Sequence, residues 1–257
     1  MHKILHTVSA EVSSQPASQA SGGDDLNSLM ARCRRANWQP DFERMIFFAS
    51  SQPSPGTEEL RALRSRLYVI RENQPMKSLL ISSALRQEGK SFIAANLAHV
   101  LALQQDCRVL LVDGDLRRPR LHAMLGTTAT PGLSEYLLDE VEDLAILQRG
   151  RPENLFFIPA GRSVPGPTEL LANAHLTNLL RRLEPVFDWI IIDSPAAVPV
   201  SDAPLLASAC DGVLLVVRFG STPYDIARIA RERFRENQLL GVVLNSVRNG
   251  LSMRSQY

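Results

Sequence analysis

A glycine, a lysine and a serine in this sequence have the types and spacing of a phosphate-binding site. Gly89, Lys90 and Ser91 close the stretch of residues 84–91, which fits the P-loop spacing A/G-x-x-x-x-G-K-S/T. In such a loop, backbone N–H groups surround phosphate oxygens, the lysine neutralises them and the serine hydroxyl binds Mg²⁺. The stretch therefore predicts a site for a nucleotide and Mg²⁺.

Carboxylates follow two apolar segments farther along the chain. Asp113 and Asp115 come after residues 109–112, and Asp193 comes after residues 190–192. Ligands of open α/β sheets bind at the carboxyl ends of strands, where oxygen ligands suit Mg²⁺. Helix capping is an alternative explanation for each aspartate taken singly. It does not explain why the loop and both carboxylate segments occur in the order that an NTPase needs.

The elements that must position these residues can be predicted from hydropathy. From residue 78 onward, short β-rich apolar runs alternate with helix-length segments, as in a parallel sheet covered by helices on both faces. The pattern also predicts helices over residues 26–36, from about Thr57, and over 92–103. The predicted strands are residues 78–82, 108–112, 155–159, 189–192, 213–217 and 242–244. The fold class is therefore three-layer α/β with a mainly parallel central sheet.

Composition excludes several classes of protein. The 257 residues are 45% hydrophobic, and 28 Lys and Arg against 27 Asp and Glu leave a net charge of +1. A chain with so small a net charge has no overall electrostatic attraction to nucleic acid, so no nucleic-acid partner is expected. Three cysteines without metal-ligand spacing and apolar runs of only four to six residues argue against a disulfide framework, a zinc site and a membrane span. We expect a cytoplasmic protein.

Three regions are predicted along the chain. Residues 1–45 are expected to be a flexible leader that carries the short amphipathic helix, because residues 9–28 contain almost no large apolar side chain. Residues 46–247 are expected to form the nucleotide-binding domain. Residues 248–257 have few apolar side chains and are expected to be a mobile tail.

The motifs resemble those of the bacterial tyrosine kinases of capsule and exopolysaccharide synthesis, in the ParA and MinD branch of P-loop ATPases. Residues 84–91 resemble the Walker A motif of that family, residues 109–117 its Walker A′ motif, and residues 190–195 its Walker B motif. The resemblance implies a P-loop NTPase fold and an ATP-dependent protein-tyrosine autokinase that needs Mg²⁺. It also implies that Arg117 and Arg118 steady phosphate or a neighbouring carboxylate.

The resemblance assigns a role to each site residue. Lys90 is catalytic, Ser91, Asp115 and Asp193 hold Mg²⁺, and Asp113 orients or deprotonates the attacking tyrosine hydroxyl. That use of a carboxylate is reasonable because a phenol of pKa near 10 is mostly protonated at pH 7. The residues expected to contact the nucleotide are Leu85, Arg86, Gln87, Glu88, Gly89, Lys90, Ser91, Phe92 and Asn245.

Glu58, Arg61 and Arg64 match an ExxRxxR element of the family. A spacing of three places them on one helical stripe, which the family uses to contact the next subunit of a ring. A solvated helix face with an internal ion pair is the alternative. The resemblance further implies a separate membrane-spanning polysaccharide co-polymerase as activator, possible regulation by a cognate tyrosine phosphatase, and recruitment to the inner face of the cell membrane through a partner.

The sequence departs from the family pattern at two places. Arg86 and Gln87 stand where the family usually has Pro-Gly, and Tyr257 is the single tyrosine in residues 248–257, where the family has a cluster. Tyr257 is the predicted phosphoacceptor, because the other three tyrosines fall in segments predicted to be ordered.

Two other functions are compatible with the motifs. A MinD- or ParA-like ATPase switch would use an additional lysine near the start of the loop, where this chain has Leu85. A catalytically inactive nucleotide-binding regulator is the second alternative. Labelled ATP separates the three, because label would go to protein, to free phosphate or to neither.

Overall fold

The apolar runs form neighbouring strands of one sheet in the computed structural model, which describes residues 33–48 and 56–247. The strands are β1 (Arg34–Arg35), β2 (Ser78–Ser83), β3 (Val109–Asp113), β4 (Gln148–Arg149), β5 (Leu155–Ile158), β6 (Trp189–Asp193), β7 (Gly212–Arg218) and β8 (Leu239–Asn245). Their order across the sheet is β1-β4-β5-β3-β6-β2-β7-β8. β4 and β5 are antiparallel, and the other neighbouring pairs are parallel.

Helices connect the strands and cover the sheet. They are α1 (Thr57–Asn73), α2 (Lys90–Ala102), α3 (Leu121–Leu125), α4 (Leu133–Leu137), α5 (Pro167–Leu171), α6 (Ala174–Leu183), α7 (Asp202–Ser208) and α8 (Tyr224–Glu232), with 3₁₀ turns over Asp143–Ile146 and Glu236–Gln238. None of the helices in the described part of the chain is both long and apolar enough to cross a membrane.

Two apolar clusters lie on opposite faces of the sheet. In β3, Leu110 and Val112 pack into one cluster, whereas Val109 and Leu111 pack into the other. Burial on both faces explains why the strands read as continuous apolar runs and not as alternating patterns. The three-layer α/β class with a mainly parallel sheet is therefore confirmed.

The predicted helix over residues 26–36 is wrong at its end. Arg34 and Arg35 form β1, which pairs with β4, and residues 26–32 lie outside the described part of the chain. Trp38 and Met45 are buried in the cluster that includes α2, so residues 33–48 pack on the domain, although the leader was predicted to run to residue 45. A two-residue strand of arginines carries no apolar signal from which a strand could be predicted.

The other predicted elements differ from the structure mainly at their ends. α1 begins at Thr57 as predicted, and α2 begins at Lys90, two residues earlier than predicted. Residues 242–244 were predicted as a strand, and β8 extends this strand to Leu239–Asn245. The predicted tail of residues 248–257 and residues 1–32 of the predicted leader lie outside the described residues.

Candidate active site

The loop between β2 and α2 has the backbone of a phosphate-binding loop. Gly89 has a φ of +94°, and a Cβ there would lie 2.0 Å from the side-chain nitrogen of Asn245, so this position needs glycine. Gln87 also has a positive φ, of 65°. No side chain caps the start of α2, so the first backbone N–H groups of this helix face the site with their dipole unopposed. That arrangement suits an anion.

Lys90 lies at the centre of the site. Its Nζ is 3.0 Å from Asp115 Oδ2, 3.7 Å from Asp193 Oδ1 and 3.3 Å from Ser91 Oγ. Burial alone would lower the pKa of Lys90, but attraction to Asp193 and Asp115 outweighs burial and raises it. The ammonium group is therefore firmly charged and can neutralise phosphate oxygens.

The residues predicted to hold Mg²⁺ are brought together. Ser91 Oγ donates a hydrogen bond to Asp193 Oδ2 at 2.5 Å, and the backbone N–H of Arg118 donates to Asp115 Oδ1 at 3.0 Å. Asp193 Oδ1 is buried and accepts no hydrogen bond, and its cationic neighbour, Lys90 Nζ, is 3.7 Å away, so this oxygen keeps room for a metal ion.

This donor set fits Mg²⁺, which takes few protein ligands and completes its shell with water and phosphate oxygens. No group of three or more His, Cys, Asp or Glu within residues 33–48 and 56–247 is arranged as a self-sufficient metal site. Ser91, Asp115 and Asp193 would therefore hold the ion together with the phosphates of a nucleotide.

Asp113 lies beneath the site and is fully buried. It is in register with Asp193 of the adjacent strand, and Gly114 permits this close approach, because a Cβ at Gly114 would lie 2.7 Å from the Asp193 carbonyl oxygen. The Asp113 oxygens accept backbone N–H groups of Asp115 at 3.3 Å and of Leu121 at 3.0 Å. Burial, and then repulsion from Asp193, raises the pKa of Asp113.

Arg117 is held by a buried carboxylate. Its Nε and Nη2 donate to the two oxygens of Asp202 at 2.6 and 3.1 Å, and Thr168 bonds to both side chains. Of the two roles predicted for Arg117, the structure supports contact with a neighbouring carboxylate. Arg118 is exposed at the edge of the site.

Glu88 and Asn245 were predicted to contact the nucleotide, and in the structure both also hold the loop. Glu88 accepts the Leu85 N–H at 2.8 Å and bonds to the Thr222 hydroxyl, while Asn245 Nδ2 donates to the Glu88 carbonyl at 2.8 Å. Sequence reasoning missed Thr222, because no motif marks a partner 134 residues away. Phe92 and Asn245 line one cavity of about 520 Å³ between α1, α2 and β8.

The predicted oligomerisation residues have partners within the chain. Glu58 and Arg61 form an ion pair along α1, and Arg64 Nη1 donates to the Val100 carbonyl at 3.0 Å. A contact with another subunit is compatible with this geometry and stays a prediction.

The tyrosines differ in their surroundings. Tyr68, Tyr136 and Tyr224 lie in α1, α4 and α8, as expected for ordered segments, and the Tyr224 side chain is 80% exposed. Tyr257 lies outside the described residues, so its role as acceptor stays a prediction.

A phosphate loop before a helix, a hydroxyl beside it and carboxylates at the ends of two parallel strands define a P-loop nucleotide-binding α/β protein. A ParA-family ATPase of Chlorobium tepidum shares this fold with a TM-score of 0.54 at 21% identity, covering 66% of this chain and 74% of that chain. MinD of Pyrococcus horikoshii shares it with a TM-score of 0.55 at 22% identity, covering 65% of this chain and 69% of that chain. No protein-family model matches the sequence.

The chain is more similar to tyrosine kinases. It is 33% identical over 225 residues to the tyrosine-protein kinase YwqD of Bacillus subtilis, covering 87% of this chain and 94% of YwqD. It is 37% identical over 172 residues to the succinoglycan biosynthesis transport protein ExoP of Rhizobium meliloti, covering 65% of this chain and 22% of ExoP. The kinase domain of the Escherichia coli tyrosine kinase ETK superimposes with a TM-score of 0.72 at 31% identity, covering 78% of this chain and 79% of that domain.

The chain belongs to the bacterial tyrosine-protein kinase family. A tyrosine kinase is therefore favoured over an ATPase switch.

Proposed function

We propose that this protein transfers the γ-phosphoryl group of ATP to tyrosine on neighbouring copies of itself. The observation that carries the proposal is the convergence of Ser91, Asp115 and Asp193 within 3.7 Å of Lys90 Nζ, beside the uncapped start of α2. Phosphoryl transfer depends on positioning and charge stabilisation, and this cluster supplies both cationic and metal-binding groups.

We further propose that the loop from Leu85 to Phe92 binds ATP, chiefly through its backbone N–H groups and the side chains of Lys90 and Ser91. The amides at the start of α2 and the Lys90 ammonium would bind its phosphates, and Ser91, Asp115 and Asp193 would hold Mg²⁺. Bound Mg²⁺ supplies charge neutralisation on the phosphate oxygens. The cavity lined by Phe92 and Asn245 supports a base-binding role for that side of the loop.

The proposed role of Asp113 needs its own test. The resemblance implies that it orients or deprotonates the tyrosine hydroxyl, whereas its contacts with the backbone of Asp115 and Leu121 support a positioning role for the loop that carries Asp115. The Asp113→Asn variant keeps an acceptor oxygen for one backbone donor but cannot take up a proton. If Asp113 acts as a base, the turnover of the Asp113→Asn variant should fall and should not recover at high pH. If Asp113 positions the loop that carries Asp115, the turnover of the variant should respond less to added Mg²⁺ than that of the wild type.

The acceptor in the proposed reaction is Tyr257, phosphorylated in trans. The described part of the chain ends at Val247, which lines the cavity beside Phe92. Ten extended residues span at most about 33 to 36 Å, enough to reach an adjacent subunit that lies close by.

The kinase is proposed to work in a ring and at a membrane. Reversing both Arg61 and Arg64 to Glu should place like charges across the subunit contact and disfavour the oligomer by several kcal/mol. Light scattering would show a monomer for this variant, whereas Arg66→Glu, an exposed charge reversal on the same helix, would keep the wild-type mass. Equal masses for all three proteins would remove the ring.

The remaining proposed partners and the location rest on the resemblance to the family. ExoP is a succinoglycan biosynthesis transport protein of which this chain spans 22%. We therefore propose a role in polysaccharide polymerisation or export, with a separate membrane-spanning co-polymerase as activator at the inner face of the membrane and a tyrosine phosphatase that reverses the modification.

The test of the proposed function is a mixture of two variants with labelled ATP. Lys90→Met with an intact tail would serve as acceptor, and Tyr257→Phe with an intact active site would serve as kinase. Phosphotyrosine at Tyr257 of the Lys90→Met chain supports transfer in trans. Label in free phosphate alone, with the activator's cytoplasmic segment present, would favour the ATPase switch. Bound ATP without any transfer would favour the inactive regulator.

A further inference from the structure

Three arginines without carboxylate partners line the entrance to the active site. Arg86 of the loop and Arg118 and Arg120 after β3 are exposed and share one pocket with Lys90 and Asp115, called here the arginine pocket. Among residues 33–48 and 56–247, no carboxylate pairs with these three guanidinium groups.

Arg117 provides the internal contrast. In the sequence it lies between β3 and Arg118, but its guanidinium group forms two hydrogen bonds with Asp202. The two parallel N–H donors of an arginine held in this way are already bonded to a carboxylate of the fold. The free guanidinium groups beside it keep their donors available for an anion that comes from outside the chain.

The position of the arginine pocket identifies which ligand it faces. Its opposite wall comes from the segment after β6, including Pro195 and Val200, whereas Glu88, Thr222 and Asn245 do not line it. The pocket therefore shares no lining residue with the cavity beside Asn245. In-line phosphoryl transfer keeps the acceptor apart from the leaving nucleotide, so a pocket that contains Lys90 and is separate from the cavity beside Asn245 suits the acceptor.

We propose that Arg86, Arg118 and Arg120 select acidic peptide segments, so that the preferred acceptors are tyrosines flanked by Asp or Glu. This inference rests on the proposed kinase function and adds a substrate class to the self-acceptor Tyr257. Residues 248–257 contain Arg248 and Arg254 and no acidic side chain, so like charges make that segment the slower substrate.

The reaction on such a peptide is balanced without any further reagent. The tyrosine oxygen forms a bond to the γ-phosphorus of ATP while the bond from that phosphorus to the β–γ bridging oxygen breaks. ADP leaves, and the phenolic proton passes to a carboxylate of the site and then to water. The flanking carboxylates of the peptide stay unchanged and only hold the acceptor at the three guanidinium groups.

The experiment compares three synthetic peptides that carry one tyrosine flanked by Glu, by Gln or by Lys. For the wild-type protein we expect kcat/KM to fall on the order of tenfold from the Glu to the Gln peptide and further for Lys, with the change mainly in KM. The preference should shrink as salt rises, because exposed charges are screened beyond about 10 Å at 0.1 M ionic strength.

Two matched double variants assign the effect. Arg118→Gln with Arg120→Gln should bring the Glu and Gln peptides to similar kcat/KM, and Lys at both positions should restore part of the preference. Arg151→Gln with Arg181→Gln removes the same charge from two exposed arginines outside the arginine pocket, and this variant should keep the wild-type preference. ATP affinity, measured separately by calorimetry, tests whether Arg118 steadies phosphate of the nucleotide, the other role that the family resemblance implies for it.

The outcomes separate the inference from the proposed function. Equal kcat/KM for the three peptides, or a preference that survives in the Arg118 and Arg120 variant, overturns the inference and leaves the kinase standing. A loss of ATP affinity in that variant means that the arginines bind nucleotide, which also overturns it. Absence of phosphotyrosine on every peptide and on the protein, with ATP bound and the activator's segment present, overturns the kinase and the inference together.

Discussion

The two ends of the same parallel strands carry aspartates in opposite situations. At the amino ends, Asp211 Oδ2 accepts the backbone N–H groups of Lys77 and Ser78 at 2.8 and 2.9 Å, and Asp188 Oδ2 accepts that of Arg108 at 2.8 Å. At the carboxyl ends, Asp193 keeps one buried oxygen without any hydrogen bond. The residue type is the same, but the fold supplies hydrogen-bond donors to the aspartates at the amino ends and leaves one oxygen of Asp193 without a donor.

The difference teaches that unmet bonding capacity, more than residue type, marks the functional end of this sheet. Asp113 shows the value of this criterion, because it lies at the carboxyl end yet accepts several backbone N–H groups, as the amino-end aspartates do. By the same criterion, Asp193 is the aspartate that keeps capacity for an added cation, whereas the contacts of Asp113 resemble those of the amino-end aspartates.

The largest expected effect is that of Lys90→Met. The variant removes the one cation within 3.7 Å of Asp193 Oδ1 that the described residues supply, so charge on transferring phosphate oxygens loses its stabilisation. We expect phosphotyrosine turnover to fall about 10³-fold. Steady-state assays with labelled ATP would measure this, and circular dichroism would verify the fold. A folded variant with wild-type turnover and ATP affinity would contradict the P-loop assignment.

A smaller but more specific effect is expected for Asp193→Asn. An amide binds Mg²⁺ more weakly than a carboxylate does, so turnover should fall about 10²-fold and recover in part as the Mg²⁺ concentration rises. Asp115→Asn should behave in the same way. A defect that does not respond to Mg²⁺ in either variant would indicate damage to the fold. It would contradict the view that aspartates at the carboxyl ends bind metal whereas those at the amino ends stabilise the fold.

The opposite outcome is expected at the amino end. Asp211→Ala leaves the N–H groups of Lys77 and Ser78 without their acceptor, and we expect it to lower the free energy of unfolding by about 2 kcal/mol. Asp211→Asn should cost less, because its amide oxygen can still accept. Urea denaturation would give the values. Turnover of the folded Asp211→Ala protein should equal that of the wild type. A large fall in kcat would contradict a purely structural role for the aspartates at the amino ends of the strands.

The smallest effect comes from a group whose pKa shift has burial as its cause. His99 packs against Phe47 and Phe48, and burial lowers its pKa to about 4. The unfolded chain, with a His pKa near 6.5, then binds the proton more readily, so stability falls as pH drops from about 6.5 toward 4.

Between pH 7 and pH 5, this histidine should cost about 1 to 2 kcal/mol of unfolding free energy. His99→Leu cannot be protonated and should show a pH dependence that is weaker by this amount in urea titrations at the two pH values. Identical pH dependence in both proteins would mean that His99 is accessible to protons in the folded state.

Most of the sheet was predictable because β2, β3, β5, β6 and β7 are buried on both faces. Continuous apolar runs marked six strands, including β3 and β6, which carry the carboxylates. β1 and β4 were missed because two residues such as Arg34–Arg35 and Gln148–Arg149 are too short for any hydropathy pattern. Their pairing is decided by the chain around them, in which Trp38 and Met45 are buried.

The site was predictable where it depends on strand ends and not where it depends on loops. Asp113 and Asp193 end neighbouring strands, so sheet topology alone brings them together, and Lys90 at the start of α2 was predictable from the P-loop spacing. The bond between Arg117 and Asp202 joins residues 85 positions apart, and that between Glu88 and Thr222 joins residues 134 apart. Such contacts follow from loop conformations, which no periodicity in the sequence encodes.

The positive φ of Gln87 has a consequence for how this loop can change over evolutionary time. A non-glycine residue in the left-handed region costs about 1 kcal/mol in strain, and a glycine there costs about as much in the extra freedom of the unfolded chain. The two terms nearly cancel, so the backbone is almost indifferent to an exchange of glutamine for glycine. What natural selection can act on at position 87 is therefore the amide side chain, which lines the arginine pocket and whose chemistry glycine would erase.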